Sequence, residues 1–338
     1  MASTTPVDTH IVTSTGNREP GIGLLSNPNS GRNRKQLREI VQIVSDYPRI
    51  HHLTTRTAGD IPAALAEFAD RPVDILAVNG GDGSVVQVLT HLLEERPFAN
   101  LPWLLLLPGG TTNMSAGDVG LRGNLRRAVA RLCRWTQQRP RSYHLLQRPV
   151  LRVRPGSSRD VVCGMFFGAG AIIQGIEYCR TRVHIRGVSN EIGPGLAMAR
   201  TVWGILQRDP RFVHPVSIAT ALDDRPAGPA REELLLLVST LERLFLGMHP
   251  YWGQEPHPLH VSMVRYDAPR FLRALPVLLR GRTNRHTTEA AGYRSHNVER
   301  LHLTLKGSWT LDGELYTADP ATGPVAIDSA GPVTFLKL

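Results

Sequence analysis

Between Val73 and Gly120 the chain passes twice from an apolar run into a glycine loop. The first run, beginning at Val73, leads into Asn79-Gly80-Gly81-Asp82-Gly83-Ser84 and then a helical pattern. The second, Leu101 to Leu107, leads into Pro108-Gly109-Gly110-Thr111-Thr112-Asn113. Two such pairs so close together predict two tight turns at one edge of a single sheet. Such turns expose bare backbone N–H groups, and a helix N-terminus behind them favours a nearby negative charge such as phosphate.

The flanking pattern supports that placement. Gly21 to Ser26 and Ile50 to Thr54 read as short strands. Arg34 to Asp46 reads as a helix with Leu37, Ile40, Val41 and Val44 on one face. Ile61 to Phe68, Val85 to Glu95 and Leu125 to Gln137 read as further helices. Strand alternating with helix predicts a parallel sheet covered on both faces, with ligands at the carboxyl ends of its strands. The character changes near Tyr143. Val150 to Val153, Val161 to Phe167, Val213 to Ala221, Leu234 to Thr240, Leu259 to Val264, Leu301 to Leu305 and Val333 to Leu338 read as strands. Gly195 to Leu206 and Pro269 to Arg280 read as helices, and Arg182 to Val188 is ambiguous. The expected organisation is a tail over residues 1–20, an α/β nucleotide-binding domain over 21–140, and a β-rich domain over 141–338, with the linker around Gln138 to Tyr143.

With 338 residues and 41% hydrophobic side chains, two domains with real cores are affordable. The three cysteines, Cys133, Cys163 and Cys179, form no CxxC pair, which argues for a reducing compartment and against a disulfide framework or a zinc site. The tail is polar with no apolar h-region, so a disordered segment is expected there rather than a signal peptide. No run reaches the roughly 18 apolar residues of a membrane span. The expectation is a cytoplasmic chain, with peripheral contact at the inner face of the membrane. A net charge of +10 suits an anionic partner: ATP, an acidic membrane surface or nucleic acid. Aromatics are only 6% and are not interleaved with the basic residues, which argues against nucleic acid. The arginines at 122, 126, 127 and 131 read as a solvated helix face. Oligomeric state is left open, a homodimer included.

Each motif has a plain structural reading. Asn27-Pro28-Asn29-Ser30-Gly31 is a serviceable strand-to-helix turn. Gly21 and Gly23 lie within a strand and Ser26 takes the third position, so a dinucleotide GxGxxG is rejected. Gly80, Gly81 and Gly83 permit close backbone approach, and Ser84 is placed to cap the next helix. Asp82 is out of place in a phosphate loop unless a metal or a reacting hydroxyl needs it. Leu311-Asp312-Gly313-Glu314 is a hairpin turn that accounts for Asp312 and Gly313 but not for Glu314.

Taken in order, NPNSG, GGDGS, GGTTN and LDGE resemble the diacylglycerol kinase catalytic-domain family, which includes bacterial lipid kinases and, more distantly, sphingosine and ceramide kinases. The resemblance implies an N-terminal doubly wound domain of the phosphofructokinase and NAD-kinase type. It also implies a C-terminal β-sandwich-like domain, with ATP in the cleft between the two. It implies nucleotide contacts at Thr55, at Gly80, Gly81, Asp82, Gly83, Ser84, Val85 and Val86, and at Gly110, Thr111 and Asn113, with Asn27 and Ser30 shaping the first loop. Glu314 matches the general base of the bacterial branch, and Asp82 the base of the sphingosine-kinase branch. The favoured assignment is Glu314 as base and Asp82 as magnesium ligand, with the reverse open. The acceptor implied is a lipid alcohol, and Leu196 to Leu206 could border it. The alternatives are a soluble small-molecule or NAD kinase of the same superfamily, and a nucleotide- or lipid-binding protein that has lost turnover. Three departures from the family pattern stand out. Met114 occupies a usual Asp position, for which Asp118, on the same face of a helix, is a candidate replacement. Ser84 stands for Thr. His257-Pro258 stands where bacterial members carry Asp-Gly of a magnesium site, so no metal is assigned there.

Overall fold

The computed structural model describes residues 9–14, 18–158, 160–173 and 215–338. Contacts divide the chain into two units, one holding residues 5–150 and 331–338, the other residues 151–330.

The first unit is a parallel sheet in the order β3–β2–β4–β5, formed by β2 (Ile22–Ser26), β3 (Ile50–Thr54), β4 (Ile75–Gly80) and β5 (Trp103–Pro108). The central strands are apolar nearly throughout because both of their faces are covered. Ile22 and Leu24 point into a core shared with Ile40 and Val44 of helix α1 (Asn33–Ser45) and Leu125, Val129 and Leu132 of α5 (Leu125–Gln137). Gly23, between them, faces the other way, where a Cβ would touch the ring of Phe68 on α2 (Ile61–Ala69). Helix α3 (Asp82–Glu94) packs against α2. Helices therefore cover both faces, the doubly wound arrangement. Val41 departs from the expected buried face of α1 and is 42% exposed; Ile40 and Val44, four apart, carry the burial.

Three differences concern this unit's edges. Thr9–Ser14, within the stretch expected as a disordered tail, forms strand β1, antiparallel to the start of β6 (Arg141–Arg154). Gln138 to Tyr143 holds the C-cap of α5 and the start of β6, and the division between units falls after Val150. The last strand, β16 (Val325–Lys337), ends in the first unit, where Phe335 pairs parallel with Leu104.

The second unit is antiparallel and β-rich. Strand β10 (Arg231–Ser239) pairs with β11 (Leu259–Arg265) on one edge and with β9 (Val216–Leu222) and β8 (Phe166–Gly170) on the other. Beyond β11 lies β12 (Tyr293–Val298), and β13 (Leu301–Leu305) joins β9 to β16. Helix α6 (Phe271–Leu278) contributes Phe271, Ala274 and Leu278 to a core with Leu234, Val264 and Tyr293. The run Val161 to Phe167, expected as one strand, is broken at Met165 into β7 (Val162–Gly164) and β8. Strand β12 was not legible, because Tyr-Arg-Ser-His-Asn-Val carries little apolar signal. The hairpin of β14 (Gly307–Leu311) and β15 (Glu314–Ala318) turns on Asp312 and Gly313, at φ 48° and 90°. Positive φ at both central residues is the type I′ geometry that matches strand twist, as Asp-Gly predicts. The ambiguous Arg182 to Val188, the helix and lipid border at Leu196 to Leu206, Cys179, and Val213 with His214 lie outside the described residues.

Candidate phosphate-binding site

At the carboxyl ends of β2, β4 and β5 three loops meet. Asn27 N–H donates to the Asn79 carbonyl at 3.0 Å, and Arg32 N–H donates to the Gly109 carbonyl at 2.9 Å. The Ser30 hydroxyl bonds the carbonyls of Asn27 (2.9 Å) and Gly109 (3.2 Å). The glycines are required by space. A Cβ on Gly110 would lie 2.5 Å from Gly81 Cα, and one on Gly109 would lie 2.4 Å from Asn79 Oδ1. The two glycine loops thus touch backbone to backbone.

Asp82 spans them. Its Oδ2 accepts from Met114 N–H and its Oδ1 from Ser115 N–H, each at 3.2 Å. The carboxylate therefore holds the start of α4 (Met114–Val119). Desolvation pushes the Asp82 carboxyl up from the usual range, against the downward pull of the Ser115 and Met114 amides. Asn113, in the left-handed region at φ 51°, closes its own loop: Oδ1 accepts from Gly110 N–H at 2.7 Å and Nδ2 donates to the Gly110 carbonyl at 2.8 Å. Asn and Asp tolerate this conformation better than other non-glycine residues.

Several expected roles change. Ser84 does not cap α3; Gly81 is the N-cap, without a side-chain cap bond, and Ser84 Oγ accepts from Asn27 Nδ2 at 3.1 Å. The Val85 and Val86 side chains are buried in the apolar core. Thr55 is 3% exposed, its N–H on the Ser26 carbonyl. Thr111 stands exposed at the loop tip, beside Gly31. Asp118 does not replace the carboxylate missing at Met114: it is buried and paired with Arg148 at 3.8 Å. His257 pairs with Glu299 at 3.5 Å.

A buried amide layer beneath the loops escaped the sequence reading. Asn33 Nδ2 lies within bonding distance of the Asn27 carbonyl (2.8 Å), Ser30 Oγ (3.0 Å) and the Asn79 carbonyl (2.9 Å). Asn79 Nδ2 donates to Ser26 Oγ at 3.1 Å, and His52 Nε2 lies 2.9 Å from the same hydroxyl. The only signal was an Asn in the first turn after NPNSG. The Ser26 hydroxyl thus links Asn79 and His52, and which of Ser26 and His52 donates follows the imidazole tautomer. Burial lowers the His52 pKa below 6.5, so protonation is disfavoured in the fold. Stability from this group is complete above the unfolded value near 6.5 and declines as pH falls through it toward the lower folded value. The denaturation midpoint of the wild type is expected to drop between pH 7.5 and pH 5 more steeply than that of His52→Gln; parallel pH profiles would refute the buried relay.

In the second unit, Asp312 does more than turn a hairpin. Its Oδ2 accepts from Met165 N–H at 2.8 Å, tying the hairpin tip to the break between β7 and β8. Glu314 begins β15 opposite Leu311 and is partly exposed. Two residues on, Tyr316 shares its face of the strand. Tyr316 stacks on Trp309 at 4.4 Å, and Trp309 stacks on Phe167 at 5.1 Å. Burial pushes the Tyr316 hydroxyl up, with Glu314 and Asp312 adding to the shift.

The glycine cradle and the uncapped start of α3 fit phosphate oxygens. Among the described residues no cluster of three or more His, Cys, Asp or Glu could hold a metal. Magnesium at Asp82 would therefore take its remaining ligands from nucleotide phosphates and water, a common arrangement for this ion. No described helix is long and apolar enough to cross a membrane.

The first unit is thus a doubly wound α/β unit with abutting glycine loops at the carboxyl ends of its parallel strands. Residues 22–144 match the model of the diacylglycerol kinase catalytic domain. The diacylglycerol kinase of Bacillus subtilis (strain 168) is 36% identical over 102 residues, 29% of this chain and 32% of that protein. The protein of Klebsiella pneumoniae (strain 342) named "Probable lipid kinase YegS-like" is 34% identical over 100 residues, 29% of this chain and 33% of that one. The chain thus matches about a third of the length of these curated relatives. A diacylglycerol kinase structure from Bacillus anthracis str. Sterne covers 95% of this chain and 97% of its own at a TM-score of 0.58 and 18% identity, a likeness of fold.

Proposed function

We propose that the protein is an ATP-dependent lipid kinase that transfers the γ-phosphoryl group to the hydroxyl of a lipid alcohol. The observation that carries this reading is the backbone contact of the two glycine loops at Gly81 and Gly110, bridged by Asp82, within the segment that matches the family. Phosphoryl transfer demands positioning and charge stabilisation more than covalent help from the protein. The loop amides and the start of α3 hold the nucleotide phosphates. Magnesium, when bound at Asp82 and the phosphates, supplies neutralisation of charge at the transferred group. Glu314 takes the proton from the acceptor hydroxyl as its oxygen forms the new bond to the γ-phosphorus; the bond to the bridging oxygen breaks, and ADP leaves.

The assignment of base to Glu314 is supported by the other carboxylate's commitments: both Asp82 oxygens already accept backbone amides. Beside Glu314 on β15, the partly exposed ring of Tyr316, backed by the buried Trp309 and Phe167, offers apolar surface to a lipid. The positive balance of the chain would help hold it at an anionic bilayer, by about 1 kcal/mol per basic residue at the surface. The test is purified protein with γ-labelled ATP and magnesium, against diacylglycerol, a sphingoid base, ceramide and an isoprenoid alcohol in mixed micelles. A labelled phospholipid is the expected product. Label on a soluble acceptor alone would select the small-molecule kinase reading, and binding of ATP without transfer would select a binding protein.

A further inference from the structure

Helix α4 is held at both ends. At its start, Met114 and Ser115 donate to Asp82. At its end, the Asp118 carboxylate faces Arg148 of β6 at 3.8 Å, both side chains 6% exposed. The Asp118 carbonyl accepts from Lys337 Nζ of β16 at 3.0 Å. Buried charge pairs are costly to desolvate, and apolar residues of the same volume often give equal or greater stability. Their best-attested use is to fix one register among several.

The register at issue here is that of α4, which is only six residues long and follows directly on the Pro108–Asn113 loop. Its apolar anchorage is small, Ala116 and Val119 being its buried apolar side chains, with Gly120 closely packed on Leu106 at its end. Two cations on two strands, one on the carboxylate and one on the carbonyl of the same residue, fix that axial position. Any axial shift would move Met114 and Ser115 away from Asp82 and carry Gly110 off Gly81.

We propose that Asp118, with Arg148 and Lys337, is a positioning residue that fixes α4 and, through it, the geometry of the Pro108–Asn113 loop. Its consequence for catalysis rests on the phosphate-binding reading of that loop; the positioning itself does not. Two readouts separate these. The first is amide hydrogen exchange in the absence of nucleotide. Asp118→Asn is expected to raise exchange over residues 110–116 by about tenfold or more, with α5 and the second unit unchanged. The second is KM for ATP against KM for the lipid acceptor. The same variant is expected to raise the former by about tenfold to a hundredfold and leave the latter unchanged, since small misplacements of a phosphate loop are costly.

A merely structural role is tested by the double variant Asp118→Leu/Arg148→Met, which removes both charges and retains bulk. Its melting temperature is expected to match or exceed that of Asp118→Asn while exchange at residues 110–116 stays high. Exchange in the wild-type range in either variant overturns the proposal. A wild-type protein that binds no triphosphate, with loop exchange still sensitive to Asp118, overturns only the functional reading.

Discussion

Gly110→Ala is expected to cost the protein both stability and nucleotide affinity. The added Cβ would sit 2.5 Å from Gly81 Cα, 3.0 Å from Asn113 Oδ1 and 3.4 Å from Gly81 N. The first and last of these are backbone atoms and have no rotamer to escape into. One of the two loops must move, and either movement breaks the Asn113 clamp or the Asp82 bridge. Overpacking of this kind costs about 1–3 kcal/mol. The larger effect is expected on function, because Gly81, at the start of α3, is displaced: on the proposed phosphate-binding reading, affinity for a non-hydrolysable ATP analogue is expected to fall by about tenfold or more, roughly 1.4 kcal/mol or above. Gly117→Ala is the control. It has nothing within 4 Å and lies inside α4, so it is expected to be neutral or to stabilise by up to about 1 kcal/mol. Thermal melts and calorimetric titration of the two variants separate crowding of the loops from a general intolerance of alanine. A Gly110→Ala protein that melts and binds like the wild type would mean the loops do not touch.

Glu314→Ala and Asp82→Asn are expected to fail in different ways. Glu314 is partly exposed at the start of an edge strand, so its truncation leaves the fold and nucleotide binding intact. Removal of a general base costs about 10²–10⁴ in turnover, and that loss is expected in transfer to the lipid. Asp82→Asn keeps one acceptor oxygen and sets an NH₂ group against an amide N–H of Met114 or Ser115. The lost bond and the opposed donors cost about 1–3 kcal/mol, and α4 is released. Melting temperature, nucleotide affinity and turnover should then fall together. The opposite pattern, with Asp82→Asn stable and able to bind nucleotide yet inactive and Glu314→Ala active, would exchange the two roles.

Much of the first unit was legible because its strands are buried on both faces and its helices carry an apolar stripe. β2, β3, α2 and α5 lie within a residue or two of where periodicity set them. The hairpin at Asp312 and Gly313 was legible for a local reason, as its dihedral angles demand those residue types. The sequence could not reveal which polar residues the fold would bury. Asn33, Asn79 and His52 are ordinary turn or strand residues until three loops close over them. The same holds for Asp118 and Arg148, thirty residues apart and each readable as surface. At Val85 and Val86 the loop motif runs on into a helix whose next turn is core. Strand β1 was missed because its pairing partner, β6, lies more than a hundred residues on.

The most direct measurement is of the backbone amides themselves. Titration of isotope-labelled protein with a non-hydrolysable ATP analogue, followed by amide chemical shifts, should move Gly81, Gly83, Gly110 and Thr111 together at one dissociation constant, while adenosine leaves them nearly still. Equal shifts with adenosine, or shifts confined to residues remote from the two glycine loops, would contradict a phosphate cradle at this site.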